Sequence, residues 1–283
     1  MTFHLTVITV QPIQEKNKLT DRVFLTSGLG NSLFQYVFAK SLGPKTVLVT
    51  GLNQRNWITK LIQFDIHDFD LEKFDLPVDQ WSPLDVIALA FLKLKTFTGN
   101  KNHACLRIYK TKYHFGYFQK DSPPDLKSIK DVQNLLRTNG FLPSKNPEPR
   151  CVIHVRHGDF SEADRLSLKY YERAMAIVID EVIKIDFKII GFGADVIYHH
   201  LKTCFGGAIN LEIVPMNTEV LDFEYIANSS LAISSNSTFC FWAAMCGEPQ
   251  IIIMPGGLGE MIGFPKTNED HRQKNLSRIV FVD

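Results

Sequence analysis

From Arg150 onward the chain alternates short apolar runs with helix-length segments, and this alternation restricts the fold more than any other feature. The runs CVIHV (151–155), FKIIGFG (187–193), LEIVP (211–215), SLAISS (230–235) and QIIIMP (250–255) read as strands, the last of them closing the series. Between them, SLKYYERAMAIVIDEVIKI (167–185), a segment starting near Ala194, TEVLDFEYIANS (218–229) and STFCFWAAMCG (237–247) read as helices. Strands with almost no polar face must be covered on both sides, which predicts an α/β fold with a mostly parallel sheet. In such sheets ligands gather at the carboxyl ends of the strands, where loops and helix N-termini carry the polar groups.

The first half starts in the same style and then loses its regularity. Residues 1–18 carry a short apolar run that reads as a first strand, without the basic leader or small-residue cleavage site of a signal segment. In DRVFLTSGLGNSLFQYVFAKSLG (21–43), Val23 to Leu25 suit a strand, Gly28 and Gly30 a turn, and Leu33, Phe34, Val37 and Phe38 one face of a helix. A less regular stretch rich in aromatics and aspartate follows. Prolines and charges in SPPDLKS (122–128) and LPSKNPEPR (142–150) mark a break over residues 141–150, dividing the chain into halves 1–145 and 146–283.

Composition narrows the function classes. With 283 residues, 45% hydrophobic, the chain can bury one large core or two modest ones. A formal net charge of +1 leaves no global field to recruit nucleic acid or an anionic membrane, so an anion must be held by a few placed groups. No run reaches the roughly 18 apolar residues that a membrane span needs. A cytoplasmic protein is the expectation, with attachment to a membrane surface left open. Five scattered cysteines without CxxC spacing predict free, buried thiols in a reducing compartment.

Three motifs carry candidate chemistry. His154-Val155-Arg156-His157-Gly158-Asp159 follows a strand, and strand alternation puts His154 and Arg156 on one face, where a guanidinium can fork two oxygens of a diphosphate. The plainer alternative is an Arg156–Asp159 ion pair closing a turn at Gly158, with His154 a satisfied core histidine. Ser234-Ser235-Asn236-Ser237-Thr238 sits between a strand and an aromatic-rich helix, where its side chains can cap the helix and its backbone can cradle an anion. Ser27-Gly28-Leu29-Gly30-Asn31 is a glycine turn that lets backbone approach a ligand, without the full dinucleotide or P-loop pattern. Asp222, at the start of a helix, suits either a cap or a purine edge. Asp68-Phe69-Asp70 has the spacing of a metal-binding pair but lacks a buried strand to deliver it, so no metal site is expected.

Taken together, SGLGNSLFQYVFA, the stretch His154 to Asp159 and SSNSTFCFWAAM resemble the α-1,2-fucosyltransferases of glycosyltransferase family 11. FDLEKFDL, HFGYFQ and SLKYYERA add weaker likeness, so the resemblance runs in order over nearly the whole chain. It implies a GT-B type fold with two Rossmann-like halves, the amino-terminal one shaping the acceptor side and the carboxyl-terminal one holding GDP-fucose. It also implies inverting, metal-independent transfer of L-fucose to the 2-hydroxyl of a galactose in a glycan acceptor, with no separate cofactor. Arg156 would contact the β-phosphate beside His154. Gly28, Gly30, Asn31, Ser235, Asn236, Ser237 and Thr238 would line the donor site, Asp222 would contact guanine, and Asp159 would act near the reacting centre. His157 departs from the second arginine usual in the family, and Ser27 from its first glycine. These departures leave room for a non-catalytic relative that binds nucleotide or glycan. Val155-Arg156-His157-Gly158 also resembles the signature of histidine phosphatases, in which His157 would carry the phosphate.

Overall fold

A computed structural model describes residues 19–26, 28–50, 77–99, 103–142, 147–157, 161–182, 184–263 and 278–283. The opening run 1–18, the DFD triplet and FDLEKFDL lie outside these, as do Ser27, Gly158 and Asp159.

The first sheet combines β1 (Thr20–Phe24), β2 (Val47–Thr50), β3 (Val78–Gln80), β4 (His103–Ile108) and β5 (Thr111–Gly116) in the order β3-β2-β1-β5-β4. All pairs are parallel except the β4–β5 hairpin at one edge. Helices α1 (Leu29–Leu42), α2 (Pro83–Gly99) and α3 (Leu126–Thr138) accompany it. The 17-residue α2 and the hairpin fill part of the stretch that seemed irregular in sequence.

The second half holds β6 (Glu148–Arg156), α4 (Leu168–Glu181), β7 (Asp186–Phe192), α5 (Ala194–Phe205), β8 (Asn210–Ile213) and α6 (Glu219–Ala227). It continues through β9 (Ser229–Ile233), α7 (Thr238–Gly247), β10 (Ile251–Pro255), α8 (Gly256–Ile262) and β11 (Arg278–Val282). Its six strands are all parallel, in the order β11-β10-β9-β6-β7-β8. The expected series ended at β10. The structure adds β11, whose Ile279 and Val280 pair with Ile252 and Ile253.

This order is that of a Rossmann sheet. The chain lays down β6 in the middle, winds outward to β8, then returns to the other side of β6 for β9, β10 and β11. The reversal lies between β6 and β9, and in open α/β sheets the crevice at such a switch point takes the ligand. The two-sheet α/β architecture with an all-parallel second sheet is that of a GT-B type chain.

The two sheets share a core. Val23 and Leu48 of the first sheet belong to one buried cluster with Val152, Ala232, Ile252 and Ile279 of the second. The seam is α1 against α7. From Cys240 to Cys246 every residue of α7 is buried, because aromatic and small apolar residues ring the helix completely. Trp242 meets Phe34 of α1 edge-on at 5.1 Å between ring centroids, and Phe241 stacks on Phe34 at 5.8 Å. Such pairs add about 0.5–1.5 kcal/mol each beyond the area they bury. The opposite face of the second sheet has its own core beneath α4 and α5, with Ile153, Val155, Tyr171 and Ala194.

The five cysteines are free, but only Cys151, Cys240 and Cys246 are buried. The expectation of buried thiols fails at half-buried Cys105 and at Cys204, which α5 presents to solvent. Among the described residues no helix is long and apolar enough to cross a membrane.

Candidate active site at the switch point

The last residues of β6 place His154 and Arg156 on the face that carries Val152, toward α7. The segment after β9 meets them there. His154 Nδ1 shares a hydrogen bond of 2.8 Å with Ser235 Oγ, and Arg156 Nη1 donates to Ser237 Oγ at 3.3 Å. The same-face reading of His154 and Arg156 is therefore the geometry found, and their two partners stand two residues apart.

The serine segment is tethered on every side. Tyr170 donates its hydroxyl to the Ser234 carbonyl at 2.5 Å, and Ser234 Oγ donates to the Ser235 carbonyl at 2.7 Å. Asn236 Nδ2 reaches the Asp164 carbonyl at 2.6 Å, holding the short helical turn Glu162–Asp164 beside the site. Thr238 Oγ1 donates to Asn31 Oδ1 at 3.1 Å, and Asn31 Oδ1 also accepts from Gln119 Nε2 at 3.1 Å. One run of five small polar residues thus joins β6, the loop after it and the first turn of α1.

One detail departs from expectation. Ser237 occupies the N-cap position of α7, yet its side chain makes no capping hydrogen bond. Its hydroxyl faces Arg156 instead. An N-terminal helical turn without a side-chain cap offers backbone N–H groups and the positive end of the helix dipole to an anion.

Gly30 also has a packing role that the sequence reading did not include. A Cβ on it would stand 2.3 Å from the backbone nitrogen of Phe239 and 2.5 Å from the Thr238 carbonyl carbon. The missing side chain lets α1 cross α7 at backbone contact, so Gly30 serves helix packing. Gly28 is the N-cap of α1, with extended backbone and no side chain to cap with. A carboxylate sits there instead: Leu29 N donates to Glu219 Oε1 at 3.1 Å, a contact between the first turns of α1 and α6 that no sequence motif announces.

Asp222 makes the local contact. Its Oδ1 accepts from the Asn217 backbone N–H at 3.0 Å, ahead of the first turn of α6, and burial raises its carboxyl pKa. None of its hydrogen bonds reaches the His154–Ser235 cluster.

His154 is buried, and its pKa is pushed down to about 3, first by burial and then by the Arg156 charge. It is a neutral imidazole that locks Ser235, leaving Arg156 as the cation of the cluster. His157 falls on the opposite face of β6. Its backbone N–H donates to the Phe192 carbonyl at 2.9 Å and its ring lies edge-on to Tyr171 at 6.3 Å. Gly193, at φ +85°, leaves the room it occupies, since a Cβ there would stand 2.8 Å from the His157 Cβ. Arg156 and His157 therefore point to different sides of the sheet, which separates the two groups that a phosphohistidine mechanism would have to bring together.

No family model matches the chain, and no curated protein matches it in sequence. Solved structures of similar shape include the following three. One is the E. coli heptosyltransferase WaaC with ADP, at 12% identity and a TM-score of 0.44, covering 94% of each chain. A second is the same enzyme with ADP-2-deoxy-2-fluoro heptose, at 12% identity and a TM-score of 0.39, over 84% of this chain and 88% of that one. The third is a protein assigned as a UDP-N-acetylglucosamine 2-epimerase from Listeria monocytogenes, at 11% identity and a TM-score of 0.34, over 84% and 79%. Likenesses this distant bear on neither donor nor reaction, and the fold rests on the strand order and register of the chain itself.

Proposed function

We propose that the chain is an inverting, metal-independent glycosyltransferase that moves L-fucose from GDP-fucose to a sugar hydroxyl, the 2-hydroxyl of a galactose in a glycan. The observation that carries this reading is the pairing of Arg156 with Ser237 at the N-terminus of α7, in the switch-point crevice of a Rossmann sheet. The choice of fucose and of the 2-position rests on the motif resemblance.

As GDP leaves the anomeric carbon, negative charge grows on the β-phosphate. In this reading the Arg156 guanidinium, held against Ser237, and the first N–H groups of α7 meet that charge. Preorganised donors of this kind are worth about 3–4 kcal/mol each in a water-excluded site. His154 acts indirectly, by holding Ser235. The acceptor hydroxyl attacks the opposite face of the sugar, and its proton passes to a carboxylate of the loop after β6, which carries Asp159, Glu162 and Asp164. Asp222 is the proposed guanine contact.

Isothermal calorimetry of GDP against wild type and Arg156→Ala, with EDTA present, tests the binding half. A GDP-release assay with GDP-fucose and galactosides tests transfer. Binding in EDTA that requires Arg156, with release that requires an acceptor, is the expected result. Normal turnover by Arg156→Ala would remove the mechanism. Binding without release against any acceptor would instead make the chain a nucleotide-binding relative.

A further inference from the structure

On the face of the second half away from this crevice, Glu172 of α4 meets His200 and Cys204 of α5. His200 Nε2 lies 3.3 Å from Glu172 Oε2 and 3.6 Å from Cys204 Sγ, and the three potential ligand atoms all fall within 4.8 Å of one another. His200 and Cys204 are one helical turn apart, which puts both on the same side of α5. The packing of α4 against α5 supplies the carboxylate.

We propose that these three side chains bind a zinc ion. Around a tetrahedral zinc, with bonds of about 2.0–2.3 Å to nitrogen, oxygen and sulfur, ligand atoms stand about 3.3–3.8 Å apart. The His200–Glu172 and His200–Cys204 separations already have that length, so the metal enters without rearrangement of these two pairs. A thiolate with an imidazole selects zinc over magnesium or calcium, which take oxygen ligands. Cys204 loses its proton to solvent as the Zn–S bond forms, which makes binding weaker at low pH. Cys204 is exposed, so water completes the fourth position. The bound ion clamps α4 to α5, the two helices that flank His157 through Tyr171 and Gly193. The site is separate from the sugar-transfer chemistry.

The test is a titration of the purified full chain with cobalt(II), followed by visible and near-ultraviolet absorption, with zinc added to compete. Thermal unfolding is recorded with and without zinc. Wild type is expected to show a thiolate-to-cobalt charge-transfer band that zinc abolishes, and a rise in Tm with zinc. Cys204→Ser is expected to lose the band and the Tm rise, and His200→Ala to lose most of both. Both variants should keep the GDP affinity of wild type in EDTA, which keeps this result apart from the fate of the transferase reading. Cys105→Ser, a half-buried thiol on β4, should leave the band intact. No thiolate band in wild type, or a band lost in Cys105→Ser and kept in Cys204→Ser, would overturn the proposal and leave the trio an exposed ion pair.

Discussion

Thr238 donates its hydroxyl to Asn31 across 207 residues of chain, at 3.1 Å. This bond fixes the first turn of α1 against the first turn of α7, one helix from each half. The arrangement tolerates nothing between the two helices, and Gly30 is the residue that permits it.

Gly30→Ala should therefore be costly in spite of its size. The new methyl would meet backbone atoms of Thr238 and Phe239, which cannot swing aside as a side chain could. We expect a loss of about 1–3 kcal/mol, the range for overpacked sites, read as a lower midpoint in urea denaturation with the slope unchanged. GDP binding should weaken with it, because α7 also carries the turn proposed to face the diphosphate.

Ser237→Ala removes the oxygen that orients Arg156 while leaving the charge. We expect about a tenfold fall in kcat, equivalent to about 1.4 kcal/mol, with the fold intact. Arg156→Ala should cost more, about 10²–10³-fold, as for loss of an oxyanion donor. Equal losses in the two variants would mean that Ser237 contributes more than orientation.

Acid should destabilise the protein well before its carboxylates are protonated. Folding holds the His154 pKa at about 3, below its value in an unfolded chain of about 6.5, so the unfolded state binds the extra proton between those values. His103 and His114 shift the same way, burial outweighing the attraction of Asp121 and Asp21. Stability is thus fully present above about pH 6.5 and is lost as pH falls toward 3. Urea midpoints at pH 7.5 and 5 should show it, and His154→Gln should flatten the acid limb.

In the first half, Asp85 is buried and takes Arg22 in a two-pronged contact, Nε at 2.9 Å and Nη2 at 3.2 Å, with the Ser82 backbone N–H and hydroxyl on its Oδ2. Arg22→Ala would strand that carboxylate. A loss of about 3–5 kcal/mol is expected by chemical denaturation, whereas the Arg22→Ala/Asp85→Leu double variant should recover part of it.

The parts of this protein that could be read from its sequence are those set by period and position. Alternation along CVIHVR was enough to place His154 and Arg156 together, and the near-wholly apolar strands were enough for a parallel sheet. Helix α2 was not legible because its apolar residues do not form one stripe: Ala88, Leu89 and Leu92 are buried while Leu84, Ile87, Phe91 and Leu94 are exposed. Strand β11 is as long as β9 and β10, and its run Ile279 to Val282 is as apolar as theirs, so its signal was present in the sequence. Ser237 looked like a cap because the residue type fits one, and only the position of Arg156 shows where its hydroxyl goes. The Gly30 and Glu219 contacts, like the Glu172–His200–Cys204 trio, join segments far apart in the chain, and no local pattern encodes them.

The strand order of the second half also sets a sequence of events during synthesis. Strand β6 leaves the ribosome first and becomes the centre of its sheet; β7 and β8 extend one wing, then β9, β10 and β11 the other. Each new strand finds its neighbour already made, so the sheet can grow outward without waiting for a distant partner. Helix α1 has no such advantage: the aromatic face that Phe34 turns to Trp242 and Phe241 stays uncovered until some two hundred further residues have been added. In that interval the nascent chain has the greatest need of a chaperone.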